Sequence, residues 1–137
     1  MPDPALDAAY RSTDYRAGDV VIRVGEIAPI DADSWAFITA CNPGSARLTP
    51  AENAERMARL EAEVRAAGFE FLHGKGVGRN GSWPPEPSML ILDIDEAAAR
   101  ELGRRFSQAA IIVGECNSPA RLIWLAPGEP PASAGGG

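Results

Sequence analysis

Between Trp35 and Val113, short runs of β-branched and aromatic residues alternate with two stretches of helical spacing, in the order strand, helix, strand, strand, helix, strand. Few topologies accept that order. A strand, a crossover helix and the next strand run parallel, whereas a hairpin reverses direction. The result is the split βαβ pattern, an antiparallel sheet carrying both helices on one face. Further strand-like runs at Val20–Val24 and Leu122–Leu125 widen it at the edges. The expectation is an α+β (α/β two-layer) domain built on a ferredoxin-like sheet.

The helices carry their own punctuation. Thr49, Pro50 and Glu52 supply an N-cap, a first-turn proline and a capping-box acid, and Gly68 supplies a stop. Ala54, Met57, Leu60, Val64 and Ala67 form the inward stripe. Asn53 sits near the front of that stripe, which half buries its amide beside the preceding loop. Asp95 caps a second helix in which Ala98, Leu102 and Phe106 share a face. Arg56, Arg59, Arg65 and the pair Arg104-Arg105 read as solvated helix faces.

The length, 137 residues, fits one domain. Residues 10–126 carry the apolar pattern. Residues 1–9 and the Pro/Gly/Ala-rich 127–137 hold too little apolar surface to offset the entropy of ordering and read as flexible tails. Thirteen basic against nineteen acidic residues leave a net charge of −6, which argues against a nucleic-acid backbone as the main partner. Lys75 is the only lysine. No run of about 18 apolar residues marks a membrane span, and the opening MPDPALDAAY lacks a secretory signal's basic start and apolar core. Two cysteines and one histidine give no metal-ligand spacing. The expectation is a cytoplasmic protein with reduced thiols and no metal or cofactor.

The same topology brings the polar motifs to one sheet edge. TACNPGS, Thr39–Ser45, leaves a strand and soon enters a helix. Such a turn aims backbone N–H groups and the helix start at an anion, aided by Thr39, Asn42 and Ser45. Asn-Pro-Gly is equally an ordinary turn. HGKGVGRNGSWPPEPS joins the central strands, and GVGRNG within it matches G-x-G-x-x-G but runs into Trp83-Pro84-Pro85 instead of a helix, which excludes a dinucleotide fingerprint. It reads instead as a Gly-rich flap carrying Lys75 and Arg79. The WPPEPS prolines hold Glu86 extended just before a buried strand, where a raised pKa suits a general acid or base. Trp83 can cover a planar ligand or its own core. His73 at a strand end can move a proton or simply hydrogen-bond. Ser88 and Gln108 add polar groups at the same edge, and Cys41 reads as core.

TACNPGS, the helix ENAERMARLEAEV, WPPEPS and RFSQAAIIVGE, in this order, resemble a bacterial family, domain of unknown function 3293, over about Tyr10 to Leu125. The positions matching its motif residues are Thr39, Ala40, Asn42, Pro43, Asn53, Leu60, Trp83, Glu86, Pro87, Ser88, Phe106, Gln108 and Ala110. At Cys41 the resemblance leads one to expect a bulkier residue, which argues against an essential nucleophile there. The family carries no established activity, so the resemblance implies neither substrate nor cofactor. Three readings stand at this point. The first is a domain binding an anionic or nucleotide-like small molecule through Thr39, Asn42, Ser45, Asn53, His73, Lys75, Arg79, Trp83, Ser88 and Gln108. The second is a hydrolase or transferase using Glu86 as acid or base, and the third is a protein-interaction module recognised by an exposed apolar patch.

Overall fold

The computed structural model describes residues 4–42, 47–79 and 85–125. Ser45, Trp83 and the expected 127–137 tail lie outside the described residues. The elements are α1 (Pro4–Arg11), β1 (Thr13–Ala17), β2 (Val20–Ile22), β3 (Ser34–Ile38), α2 (Pro50–Ala66), β4 (Phe71–Gly78), β5 (Glu86–Leu92), α3 (Glu96–Arg105), β6 (Ala110–Glu115) and β7 (Arg121–Trp124). The strands form one curled antiparallel sheet in the order β2-β1-β4-β5-β3-β6-β7. The mixed α/β expectation therefore holds, and the sheet is larger than the sequence reading drew it.

Strand alternation divides the interior into two cores. Ala36 and Ile38 of β3, with Met89 and Ile91 of β5, pack against Leu60 and Val64 of α2 and Ala99 and Leu102 of α3. Trp35, Phe37, Leu90 and Ile112 point the other way and meet Tyr15, Ala17 and Ile22. That second core is closed by the curl of the sheet and by the strap 23–33, whose Val24, Ala28 and Ile30 pack onto it. An isolated bridge between Ile27 and Pro119 pins the strap.

The cap chemistry appears where the sequence put it. The Thr49 side chain accepts from Glu52 N–H while the Glu52 carboxylate accepts from Thr49 N–H, closing a capping box. Asp95 accepts from Ala98 N–H at 2.8 Å at the start of α3.

Three expectations change. Residues 4–9, read as tail, are helix. Trp124 Nε1–H donates to Asp7 Oδ1 at 3.0 Å, and the Tyr10 ring stands edge-on to Trp124 at 5.3 Å, so side chains of β7 tie α1 down. β1 was not foreseen. The Gly-rich stretch read as a flap is, for Gly74–Gly78, the second half of β4, hydrogen-bonded to β1 on one side and β5 on the other. Gly74, Gly76 and Gly78 occupy alternate positions, so one face of β4 carries no side chains there. A Cβ on Gly74 would lie 2.3 Å from the Arg16 carbonyl oxygen and 3.1 Å from the Phe37 ring. Glycine is thus what lets β1 and the aromatic core close over β4.

Candidate functional site

Thr39 to Asn42 leave the end of β3 beside the start of α2, the start of β5 and the end of α3. Asn42 is the hub. Its backbone takes the left-handed conformation, φ 47°, which asparagine tolerates better than most residues. Its N–H donates to Asn53 Oδ1 at 2.9 Å, and Asn53 Nδ2 donates back to Asn42 Oδ1 at 3.0 Å. The same Oδ1 accepts from Leu48 N–H at 2.9 Å, and Asn42 Nδ2 donates to Glu86 Oε2 at 2.7 Å. One side chain therefore joins β5, α2 and the chain leading into α2.

Around it the backbone is fastened in the same manner. Thr39 Oγ1 donates to the Pro87 carbonyl at 2.6 Å and accepts from Cys41 N–H at 3.0 Å. Ala40 N–H donates to Met57 Sδ at 3.3 Å. Buried Gln108 shares its Nε2 between the carbonyls of Cys41 and Phe106, each at 3.2 Å. Arg56 Nε donates to the Ala40 carbonyl at 2.6 Å and its Nη2 to the Phe106 carbonyl. The solvated-face reading of Arg56 is thus corrected: its guanidinium holds the ends of β3 and α3 together. No sequence signal separates it from Arg59, one helical step away.

Glu86 is the chemical singularity of this end. Cross-strand register aligns Tyr15, Gly76 and Glu86 on one face, so the carboxyl stands at the mouth of the second core. Burial raises its pKa above the ordinary carboxylate value, opposed by the Asn42 hydrogen bond and the positive charge of Arg47. Oε2 accepts from Asn42, whereas Oε1 has no hydrogen-bond partner among the described residues. Nearby groups stay protonated: burial pushes the Tyr15 hydroxyl well above its ordinary value, and burial likewise raises the Cys41 thiol. Tyr15 OH donates to the Tyr10 carbonyl at 2.8 Å.

The structure gathers Thr39, Asn42, Asn53, Glu86, Ser88 and Gln108 at this end, Ser88 being buried with its hydroxyl on the Glu86 carbonyl at 3.0 Å. It does not bring three others there. His73 is exposed and paired with Glu61 of α2 at 2.7 Å. Lys75 is exposed on β4, opposite Arg16. Arg79 reaches Asp14 at 3.1 Å and the carbonyls of Ser12 and Arg11.

Elsewhere, a cavity of about 190 Å³ lies between α2 and α3, floored by Val64, Phe69, Ile94 and Leu102 and bridged by the Arg105–Glu63 ion pair. It shares no residue with the polar cluster. Ile27 and Leu72, on different elements, are the exposed large apolar side chains among the described residues. Within those residues no three His, Cys, Asp or Glu side chains gather as metal ligands would, and no helix is long and apolar enough to cross a membrane.

Fold and cluster together define a small α/β domain whose sheet end is organised by an asparagine hub around a solvent-touched glutamate. The chain belongs to the family described as Protein of unknown function (DUF3293), whose model matches residues 38–111. That span runs from the end of β3 into β6 and contains Thr39, Asn42, Asn53, Glu86, Ser88 and Gln108. No curated protein and no solved structure matches the chain.

Proposed function

We propose that the Glu86–Asn42 end of the sheet binds a small nucleotide-like molecule. One observation carries the reading: Glu86 is a largely buried carboxyl fixed through Oε2 by Asn42, while its Oε1 has no hydrogen-bond partner among the described residues. Such an oxygen suits an N–H or O–H donor on a planar ligand, and the charge of Arg47, felt at Glu86, suits the ligand's anionic end. The displacement of Lys75 and Arg79 from this end weighs toward recognition by hydrogen bonds over a purely ionic grip. The strand order β4-β5-β3-β6, with α2 and α3 buried in one core, supports reading this part as a split βαβ unit extended at both edges. Free Cys41 and Cys116 accord with a cytoplasmic setting.

The raised pKa of Glu86 favours a second reading, a hydrolase or transferase in which the same carboxyl takes or gives a proton at a bound hydroxyl or water. A thermal-shift screen against nucleotides, sugar phosphates and carboxylates tests the binding. A nucleotide should raise the melting temperature by mass action, and Glu86→Gln or Asn42→Ala should abolish the rise. A panel without any shift, or a shift indifferent to both substitutions, overturns it. Turnover of the hit, lost in Glu86→Gln with binding retained, separates the catalytic reading.

A further inference from the structure

On the opposite face of the sheet from the Glu86 side chain, β1 and β4 concentrate positive charge in a chain whose net charge is −6. Arg16 and Lys75 are direct cross-strand partners. Like charges placed so destabilise a sheet unless something shares them. Asp14, two residues before Arg16 on the same face, has a side chain only 8% exposed and draws the neighbouring guanidiniums inward. Arg23 engages it with both Nε at 2.9 Å and Nη2 at 3.3 Å, and Arg79 Nε approaches at 3.1 Å. Arg16 stands off at 3.6 Å, and Lys75 has no ion pair or hydrogen bond among the described residues. One carboxylate therefore answers three cations, Lys75 beside them is left without one among the described residues, and the two least engaged, Arg16 and Lys75, sit side by side and exposed.

We propose that this face is a binding site for a phosphate-type oxyanion, free or terminal on a small molecule, with Arg16 and Lys75 touching it and Asp14 holding Arg23 and Arg79 at its rim. Cross-strand partners have Cβ atoms about 5 Å apart, a gap that one tetrahedral oxyanion spans from two flexible cations. Val21 and Val77 lie beside the cations in register. They offer no ring for the base stacking that a single-stranded nucleic acid requires. The site lies on the opposite sheet face from Glu86, whose backbone pairs with Gly76 next to Lys75 while its side chain stands at the mouth of the second core.

Calorimetric titration with inorganic pyrophosphate at low ionic strength tests it, with adenosine monophosphate and a short single-stranded oligonucleotide as further arms. Pyrophosphate should bind saturably, and Arg16→Ala/Lys75→Ala should weaken it by about tenfold or more. Glu86→Gln should leave the affinity unchanged, which separates this site from the nucleotide-like reading. Because both replaced side chains are exposed, a melting curve confirms folding, and Lys75→Gln alone gives a milder variant expected to show a smaller loss in the same direction. Equal affinity of adenosine monophosphate and pyrophosphate for the Glu86→Gln protein would support recognition of the phosphate itself. No saturable binding, an affinity indifferent to Arg16 and Lys75, or binding of the oligonucleotide alone would overturn the proposal.

Discussion

Asn42 and Asn53 satisfy each other reciprocally: the backbone N–H of the first donates to the side chain of the second, whose amide returns the bond to the Asn42 side-chain oxygen. The pair joins a residue with left-handed backbone to the first turn of α2 and leaves Asn42 Nδ2 aimed at Glu86.

Three substitutions separate the side-chain and backbone parts of that clasp. Asn53→Ala leaves an amide N–H and a carbonyl oxygen of Asn42 short of partners, at a cost of about 1–3 kcal/mol. Asn42→Ala should be worse than Asn42→Gly by about 1 kcal/mol, because both remove the side chain but only alanine resists positive φ. Urea unfolding measures all three, and equal values for the alanine and glycine variants of Asn42 would contradict the backbone contribution.

The acid–base behaviour of Glu86 should show in stability. Its folded-state pKa lies above the ordinary value of 4.5, so the native state holds this proton more tightly than the unfolded chain. The resulting stabilisation is complete below the unfolded pKa and is lost as pH rises through the folded one. Glu86→Gln keeps an acceptor for Asn42 and removes the buried charge. Relative to wild type, the variant should gain stability between pH 4 and pH 8, by up to about 4 °C in melting temperature. Parallel curves across that range would show that burial does not govern this carboxyl. Asp14 acts in the opposite sense: Arg23 foremost depresses its pKa below 3.8, so its contribution is present at neutral pH and lost on strong acidification.

Neighbouring glycines of β4 should differ sharply. A Cβ at Gly74 runs into the Arg16 carbonyl, whereas at Gly76 the nearest atom is a Thr13 methyl at 3.5 Å. Gly74→Ala should cost upwards of about 2 kcal/mol and Gly76→Ala less than about 1 kcal/mol. Thermal melts of the two variants decide it, and similar losses would mean that β1 shifts freely away from β4.

Arg56→Ala should destabilise by about 1.5–3 kcal/mol by freeing the carbonyls of Ala40 and Phe106, while Arg59→Ala should stay within about 0.5 kcal/mol. Equal small effects in chemical denaturation would return Arg56 to the solvated face of α2.

What the sequence made legible was local chemistry. Thr49, Glu52 and Asp95 announce helix starts because capping needs particular side chains at fixed spacing. Asn42, Asn53, Glu86 and Gln108 meet because strand direction sends their segments to one end. β1 escaped notice because Thr13, Asp14, Tyr15 and Ala17 are buried and only Arg16 is exposed, so polar Thr13 and Asp14 hide a strand that hydrophobic alternation would have marked. The second half of β4, Gly74–Gly78, was misread because glycine signals loops, although glycines at 74, 76 and 78 already carried the period of a strand. Arg56 and the Asp14 cluster depend on which backbones and strands come to lie opposite, and nothing local records that.

The bond between Asp7 and Trp124 joins residues 117 positions apart. An eight-residue helix such as α1 is too short to persist alone in water, and its anchoring by Trp124 waits on β7. During synthesis α1 therefore gains this contact only once the chain through Trp124 has left the ribosome. The helix α1 is thus expected to settle only after β7, and a polypeptide halted before Trp124 would carry it without that anchor.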